Sequence, residues 1–326
     1  METSSIARNS RVFRATRVER AEARAAVGRL RRTNVMSRGR GQRASTADLV
    51  AAARARHQRD RVRLLDDPYA LALTSPSLRR VLRFRPAALF LANWTLRGLK
   101  PVILGLLIRA RYAERAVEAA FRDGIRQYVV VGAGLDSFAL RRTDRVPPLE
   151  VFEIDRPAMQ EVKRERIRSA GISSPPGLHF VPADLEQVSV MEALSNSPFD
   201  PGDPAILSFL GVTYYLSPET LAESARSIAS GVAPGSRLVL DYMLDEASAW
   251  PEHRKMRAQL EEYVAKRGEP MKSEYSLAAM SELMAEAGFR TLEAVTMMDL
   301  AERYAEELGP LPFETPGLFA CGLFGK

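Results

Sequence analysis

The sequence is poor in the residues that form disulfide frameworks and metal centres. Its 326 residues include one cysteine, Cys321, and three histidines, His57, His179 and His253. A single cysteine excludes an internal disulfide and a cysteine-rich metal site, and the histidines share no ligand spacing. We therefore expect no bound metal and a protein of the reducing cytoplasm.

The sequence also lacks long apolar runs. Its most apolar region, residues 87–108, is interrupted by Arg97, Lys100 and Pro101. A secretory signal needs an apolar core of about 7–15 residues at the N-terminus, and a membrane span needs about 18. We therefore expect neither, and we interpret the apolar region as a lid or pocket wall.

Excess charge of one sign is confined to the start of the chain. The formal net charge is +7, and residues 1–43 hold 12 arginines against three acids, so the remaining body is nearly neutral. This argues against nucleic-acid binding by the body. We interpret residues 1–43 as a basic N-terminal extension: a solvated arm, an arm for nucleic acid or an anionic surface, or the product of a reading frame whose true start is Met36.

The rest of the sequence divides into a helical segment, 44–125, and an α/β segment, 126–326. Helices are expected from Ser45 or Thr46 to about residue 58, over 76–110, and from Tyr112 to Asp123. After residue 126, short apolar runs alternate with amphipathic segments, which is typical of a parallel sheet. The predicted helices there lie near 157–170, 217–230, 253–267, 276–287 and 298–308. The predicted strands are Gln127–Val131, Leu149–Ile154, Leu178–Val181, Ala205–Leu210, Ser236–Met243, Phe289–Val295 and Gly317–Phe324.

The last two strands have little helical sequence between them and are expected to pair antiparallel. The expected fold is therefore α/β: a doubly wound, mostly parallel, seven-stranded, Rossmann-like sheet with an N-terminal helical lid.

A glycine turn follows the first predicted strand directly. Gly132, Ala133 and Gly134 form a loop against which a nucleotide-like ligand can lie, since glycine lacks a Cβ atom. Ser137 replaces the third glycine of a dinucleotide fingerprint, and the Asp136 carboxylate would repel a pyrophosphate. The loop therefore favours a cationic sulfonium ligand with an ammonium group, and a tight turn without a ligand is the alternative.

Acids end the next two predicted strands. Asp155 lies about 20 residues beyond the glycine loop, the spacing at which an acid meets ribose hydroxyls, and Glu153 is its substitute candidate. Capping of a helix near Pro157 is the alternative role for Asp155. Asp184 follows the third strand and can accept a hydrogen bond from an adenine amine, while Leu185 packs on the ring. Parallel strand ends converge, so these acids predict one nucleotide site.

Residues 45–324 resemble the leucine carboxyl methyltransferase family. The resemblance implies a class I methyltransferase fold, S-adenosylmethionine as the cofactor and O-methyl transfer. The segments that carry it are Asp67-Pro68-Tyr69-Ala70, Arg109-Ala110-Arg111-Tyr112, Gly132-Ala133-Gly134-Leu135-Asp136, Phe152-Glu153-Ile154-Asp155, Asp184-Leu185 and Leu210-Gly211-Val212-Thr213-Tyr214-Tyr215-Leu216.

The resemblance also suggests roles for single residues. Arg109 looks like the family arginine that pairs with the methionine carboxylate of the cofactor, with Arg111 and Arg54 as further candidates; ordinary solvated helix residues are the alternative. Leu210, a cofactor contact by position, replaces a glutamate of the protein-methylating members. The chain thus resembles the bacterial small-molecule branch, which includes polyketide O-methyltransferases. Phe138 replaces a common arginine and leaves the substrate open.

Aromatic residues are the candidates for the acceptor site. Tyr214 and Tyr215 follow the fourth strand and are also the catalytic candidates, Tyr112 lies in a matching segment, and Phe90 and Trp94 lie in the apolar lid region. For each of them, core packing is the alternative.

The predicted function is O-methylation of a small-molecule carboxylate or phenolic hydroxyl, as in a polyketide-like natural product. No histidine falls in a strand-end loop of the predicted sheet, and this favours a carboxylate, which needs no general base. The alternatives are a protein C-terminal carboxyl methyltransferase, an RNA-associated module that uses the Arg-rich arm, and a nicotinamide-dependent oxidoreductase.

Overall fold

A sheet of seven strands runs through the computed structural model, which describes residues 46–84, 100–142, 149–266, 268–311, 315 and 317–326. The strands in chain order are β1 (Gln127–Val131), β2 (Glu150–Asp155), β3 (Leu178–Pro182), β4 (Ala205–Phe209), β5 (Arg237–Met243), β6 (Arg290–Thr296) and β7 (Phe319–Gly325). Their order across the sheet is β3-β2-β1-β4-β5-β7-β6. β7 runs antiparallel to β5 and β6, and the other pairs are parallel.

Helices cover both faces of this sheet. In chain order, the described helices are α1 (Thr46–His57), α2 (Ala70–Leu73), α3 (Pro76–Arg83), α4 (Lys100–Arg122), α5 (Phe138–Arg142), α6 (Pro157–Ser169), α7 (Val190–Leu194), α8 (Pro218–Gly231), α9 (Arg254–Ala265), α10 (Leu277–Ala287) and α11 (Met297–Leu308). Single 3-10 turns cover Thr213–Tyr215 and Pro251–His253.

Alternate residues of the strands enter two separate cores. Tyr128 and Val130 of β1 belong to a cluster shared with α1, α4, α9 and α11, whereas Val129 and Val131 face α7, α8 and α10. Burial on both faces explains why the strands are continuously apolar. The doubly wound fold predicted from the sequence is confirmed.

Most element ends differ from the predictions by one or two residues, and three differences bear on the site or the core. β4 ends at Phe209, one residue before Leu210, and the helix expected over 253–267 is α9, preceded by a 3-10 turn that ends at His253. The predicted break near residue 111 is wrong, because α4 is continuous. Buried residues at steps of four keep one face of α4 against the core: Leu104, Ile108, Tyr112, Ala116 and Ala120. Residues 85–99, which include Phe90 and Trp94, lie outside the described residues, as does the extension 1–43.

The reversed strand β7 carries the single cysteine. Cys321 is 0% exposed and lies opposite Asp241 of β5 and Val295 of β6. Burial raises the pKa of its thiol well above the ordinary value.

None of the helices within the described ranges is both long and apolar enough to cross a bilayer.

Candidate active site

The glycine loop is anchored to the end of β2. The amides of Gly132 and Ala133 both donate to the Ile154 carbonyl, at 2.9 and 3.1 Å. The Gly134 amide donates to Oδ2 of Asp155 at 2.6 Å. The loop after β1 and the acid that ends β2 therefore form one unit at the carboxyl edge of the sheet.

Both glycines of this loop occupy positions that a side chain would disturb. Gly132 has φ +67° and Gly134 has φ +52°, the left-handed region that disfavours L-residues. A Cβ atom on Gly132 would lie 2.7 Å from Cγ2 of Val212, and one on Gly134 would lie 3.3 Å from Cβ of Ala47. The loop is thus closely approached from the segment after β4 and from α1.

The two predicted strand-end acids lie on adjacent strands. Asp155 ends β2, and its backbone carbonyl accepts the amide of Ala183, the residue before Asp184. Both aspartates are half-buried; Oδ2 of Asp155 faces the glycine loop, and Oδ1 of Asp184 accepts the Glu186 amide at 3.1 Å. The sequence reasoning therefore located two acids that the fold brings to the same edge.

Asp155 does not cap α6 through its side chain. The N-cap residue of this helix is Arg156, which makes no side-chain capping bond, and Oδ1 of Asp155 accepts only the adjacent Arg156 amide at 2.7 Å. The substitute candidate, Glu153, is 1% exposed and paired with the buried Lys163. Burial raises the pKa of Glu153 although Lys163 lowers it. Asp155 is therefore the acid that is open to a ligand.

Asp136 receives a cationic partner from the chain itself. Oδ2 of Asp136 lies 2.6 Å from Nη2 of Arg54 on α1, and Oδ1 accepts the Phe138 amide at 2.7 Å. Burial alone would raise the pKa of Asp136, but Arg54, Lys163 and Arg141 hold it well below its ordinary value. From the sequence, Asp136 was expected to favour a cationic ligand at this loop; in the structure its carboxylate pairs with Arg54 and holds α1 over the glycine loop.

Further polar contacts tie the N-terminal helices to the same loop. Ser137 donates to Oδ2 of Asp67 at 2.6 Å, and Arg141 pairs with Glu114 of α4 at 2.5 Å. At the start of α1, the Thr46 hydroxyl donates to Glu269 at 2.7 Å. Segment 46–67 is therefore fastened across the carboxyl edge of the sheet.

Arg109 projects from α4 to the ends of β4 and β5. Its Nη1 donates to Oδ2 of Asp241 at 2.8 Å and to the Tyr214 hydroxyl at 2.9 Å. Burial lowers the pKa of Arg109, but Asp241 and Tyr214 outweigh that effect and hold it above its ordinary value. Burial also raises the pKa of Tyr214 to about 12, so the phenol is neutral at physiological pH.

The other predicted contacts are divided between the crevice and the core. Tyr215 packs edge-on against Tyr214, with ring centroids 4.8 Å apart. Leu185 and Leu210 are half-buried next to the strand ends. Arg111 is directed away from Arg109 and donates to Glu307 and the Leu64 carbonyl. Tyr112 is 5% exposed and packs in the core.

A groove that the sequence reasoning missed opens where β5 ends and β7 begins. Its volume is about 320 Å³, and its lining includes Trp250, Arg254, Arg257 and Leu318. Trp250 is 49% exposed, which is unusual for a large aromatic residue. A tryptophan a few residues after a predicted strand was the available signal in the sequence.

His253 lies beside this groove, so the expectation that no histidine falls in a strand-end loop is wrong. It ends the segment that follows β5, and its ring centroid is 6.5 Å from that of Trp250. Its Nδ1 accepts the Gly317 amide at 3.0 Å, so the neutral ring carries its proton on Nε2. The free nitrogen is therefore a donor rather than a general base.

No cluster of three or more His, Cys, Asp or Glu side chains within the described residues could hold a metal ion.

The chain is similar to proteins of one methyltransferase family. The sequence model of the family described as leucine carboxyl methyltransferase matches residues 47–229. A Bacillus subtilis protein, named as an S-adenosyl-L-methionine-dependent methyltransferase, is 33% identical over 199 residues, which are 61% of this chain and 65% of that protein. A similarly named Mycobacterium tuberculosis protein is 33% identical over 220 residues, covering 62% of this chain and 67% of its own length. The match thus spans just under two thirds of the Bacillus relative.

The fold has relatives among solved structures. A crystal structure of a Thermobifida fusca protein named as a methyltransferase superposes with a TM-score of 0.58 at 18% identity, covering 88% of this chain and 96% of that chain. A Streptomyces avermitilis protein gives a TM-score of 0.56 at 15% identity, covering 84% and 97%. At these identities the likeness shows the fold, which is that of class I methyltransferases.

Proposed function

Because this chain belongs to the leucine carboxyl methyltransferase family, we propose that it is an S-adenosylmethionine-dependent methyltransferase that methylates an oxygen of a small-molecule acceptor. The observation that carries the proposal is the unit formed by the glycine loop and Asp155, with Asp184 on the next strand. A crevice at the carboxyl ends of parallel strands, lined by glycine backbone and acids, fits a nucleoside.

The residues present fit this cofactor. Gly132 has no room for a side chain, so backbone alone forms the floor of the loop. Asp155 would accept hydrogen bonds from the ribose hydroxyls, Asp184 would accept the adenine amine, and Leu185 would pack on the ring. Arg109 would pair with the amino-acid carboxylate. When bound, the cofactor supplies an electrophilic methyl group.

The chain itself must align the acceptor oxygen with the methyl group and exclude water from the site. Tyr214 and Tyr215 lie beyond β4, between the glycine loop and the groove at β5 and β7, and would position the acceptor oxygen. The groove would hold the distal part of the acceptor, with Trp250 as its aromatic surface. β1 and β7 are three strand spacings apart, about 15 Å, so the acceptor would be elongated.

A carboxylate acceptor suits this site better than a phenol. A carboxylate is ionised at neutral pH and needs no base, whereas a phenol benefits from one. His253 is the nearest histidine to the groove, and its bond with Gly317 leaves it a donor. The preference now depends on this tautomer rather than on the absence of a histidine.

A second candidate function, methylation of a protein C-terminal carboxyl group, would use the same chemistry. It is disfavoured because Leu210 stands where the protein-methylating members carry a glutamate. The Arg-rich arm that would serve an RNA-associated module lies outside the described residues.

Calorimetric titration of S-adenosylhomocysteine and NAD(H) into the purified protein tests the cofactor. We expect S-adenosylhomocysteine to bind and Asp155→Ala to weaken it by a factor of about 10–100, since a charged hydrogen-bond acceptor is lost. Asp203→Ala, which removes an exposed acid away from the crevice, is the matched control and should bind normally. Binding of NAD(H) alone, or of neither ligand, would contradict the proposal.

The acceptor is tested by comparing an aromatic carboxylic acid with its phenol analogue under the same conditions. Faster methylation of the acid is expected, and faster methylation of the phenol would overturn the carboxylate assignment. Transfer to C-terminal peptides but not to small acids would favour the second candidate function.

A further inference from the structure

Asp241 is a buried carboxylate inside the sheet. It lies on β5, is 1% exposed, and has Cys321 of β7 as its cross-strand neighbour. A buried charge is tolerated only when it is paired and hydrogen-bonded. Asp241 meets both conditions: Oδ2 accepts Nη1 of Arg109 at 2.8 Å, and Oδ1 accepts the Gly211 amide at 2.6 Å.

The pairing with Asp241 engages one of the two terminal nitrogens of the Arg109 guanidinium. Nη1 has two hydrogens, and they go to Asp241 and to the Tyr214 hydroxyl. Nε and Nη2 make no hydrogen bond with any residue that the structure describes. Because a guanidinium is planar, the free donors form one edge that can bind a carboxylate through two parallel hydrogen bonds.

The position of that edge depends on the turn after β4. Gly211 has φ +75°, and a Cβ atom there would lie 2.7 Å from Nη2 of Arg109. The guanidinium therefore lies directly against the Gly211 backbone, and the same carboxylate that holds Nη1 also holds the Gly211 amide. Asp241 thus fixes both the cation and the surface beneath it.

We propose that Asp241 is a positioning residue, which directs the Nε–Nη2 edge of Arg109 toward the amino-acid carboxylate of the cofactor. This inference rests on the proposed methyltransferase function. The Arg109–Asp241 pair has no net charge, so recognition of the carboxylate depends on the direction of two N–H groups rather than on excess positive charge. Loss of Asp241 would let the guanidinium rotate and would release the Gly211 turn.

Two ligands separate this role from a merely structural one. S-adenosylhomocysteine carries the amino-acid carboxylate, whereas 5′-methylthioadenosine keeps the nucleoside and thioether but lacks that carboxylate. The affinity ratio of the two ligands, measured by calorimetric titration, therefore reports the contacts of the amino-acid part, which is where Arg109 would act.

We expect Asp241→Asn to weaken the binding of S-adenosylhomocysteine by about tenfold or more. The affinity for 5′-methylthioadenosine should stay within about twofold of wild type. Asp123→Asn is the matched control, because Asp123 also pairs with an arginine, Arg237, but is exposed at the opposite edge of the sheet. It should leave both affinities unchanged. In an Arg109→Lys background, Asp241→Asn should lower the ratio no further, since its effect passes through Arg109.

The outcomes are distinct. Equal weakening of both ligands by Asp241→Asn, or no weakening of either, would overturn the positioning role while leaving the cofactor assignment intact. Failure of the wild-type protein to bind either ligand would refute the proposed function, and this inference with it. If Asp241→Asn does not fold, Tyr214→Phe removes only the second acceptor of Nη1 and should lower the ratio by about threefold. An unchanged ratio in that variant would count against the proposal.

Discussion

Replacing Arg54 with methionine should destabilise the protein strongly, because it leaves the Asp136 carboxylate without its main counter-ion. The two side chains are 7% and 17% exposed, and their charged atoms are 2.6 Å apart. At an effective dielectric constant of about 20, the gross attraction is about 6 kcal/mol. Desolvation offsets part of it, and breaking a buried pair by removing one partner typically costs about 3–5 kcal/mol.

The stability that Arg54→Met loses relative to wild type should become smaller as the pH falls. In the wild type the folded pKa of Asp136 is depressed, so its contribution to stability is present above the unfolded value of about 3.9 and is lost only as pH falls through the folded value. In Arg54→Met the folded pKa rises, because burial then opposes ionisation with less compensation. The variant should therefore regain stability relative to wild type between pH 7 and pH 4.

Urea unfolding at several pH values measures both effects. Arg56→Met is the matched control on the same helix, because Arg56 is 32% exposed and pairs with Asp60 one turn away. Arg56→Met should lower the free energy of unfolding by about 0.5 kcal/mol or less. Adding Asp136→Asn to Arg54→Met should recover about 1–3 kcal/mol, since no buried charge remains. A loss below about 1 kcal/mol for Arg54→Met, or additive losses in the double variant, would refute the reasoning.

Two further predictions concern the loop and the groove. Gly132→Ala should lower the free energy of unfolding by about 1–3 kcal/mol, because alanine must adopt a positive φ and its Cβ meets Val212. Adding Val212→Ala removes the clash with the new Cβ atom, so in urea unfolding it should recover only the part of the lost stability that is due to this clash. A Gly132→Ala protein as stable as wild type would contradict the prediction. Trp250→Ala should raise the KM for an aromatic acid acceptor about tenfold and change the affinity for S-adenosylhomocysteine less than twofold, in steady-state kinetics and calorimetry. An unchanged KM would remove the groove from the acceptor site.

The sequence predicted well the strands and the loop residues that depend only on neighbouring positions in the chain. Alternation of apolar runs predicted all seven strands, and the glycines after Val131 and the acid at Asp155 lie within single strand-to-helix turns. Convergence of parallel strand ends is a rule of topology, so these residues could be brought together without coordinates.

Contacts between distant segments could not be read in this way. The bond between Arg54 and Asp136 depends on how α1 docks, and no spacing in the sequence encodes it. The same holds for Asp241, whose partners Arg109 and Gly211 come from two other segments. His253 was missed as a strand-end residue because the loop after β5 was predicted to be shorter than it is.

Cys321 can serve as a native probe for local unfolding around β7. It is the only cysteine in the chain, and it is wholly buried between β5 and β6. Its side chain belongs to the core cluster shared with α4, α9 and α11, so a thiol-reactive dye can reach it only when these helices or the antiparallel edge open locally. The dependence of the labelling rate on urea therefore measures the free energy of that local opening, without any engineered probe.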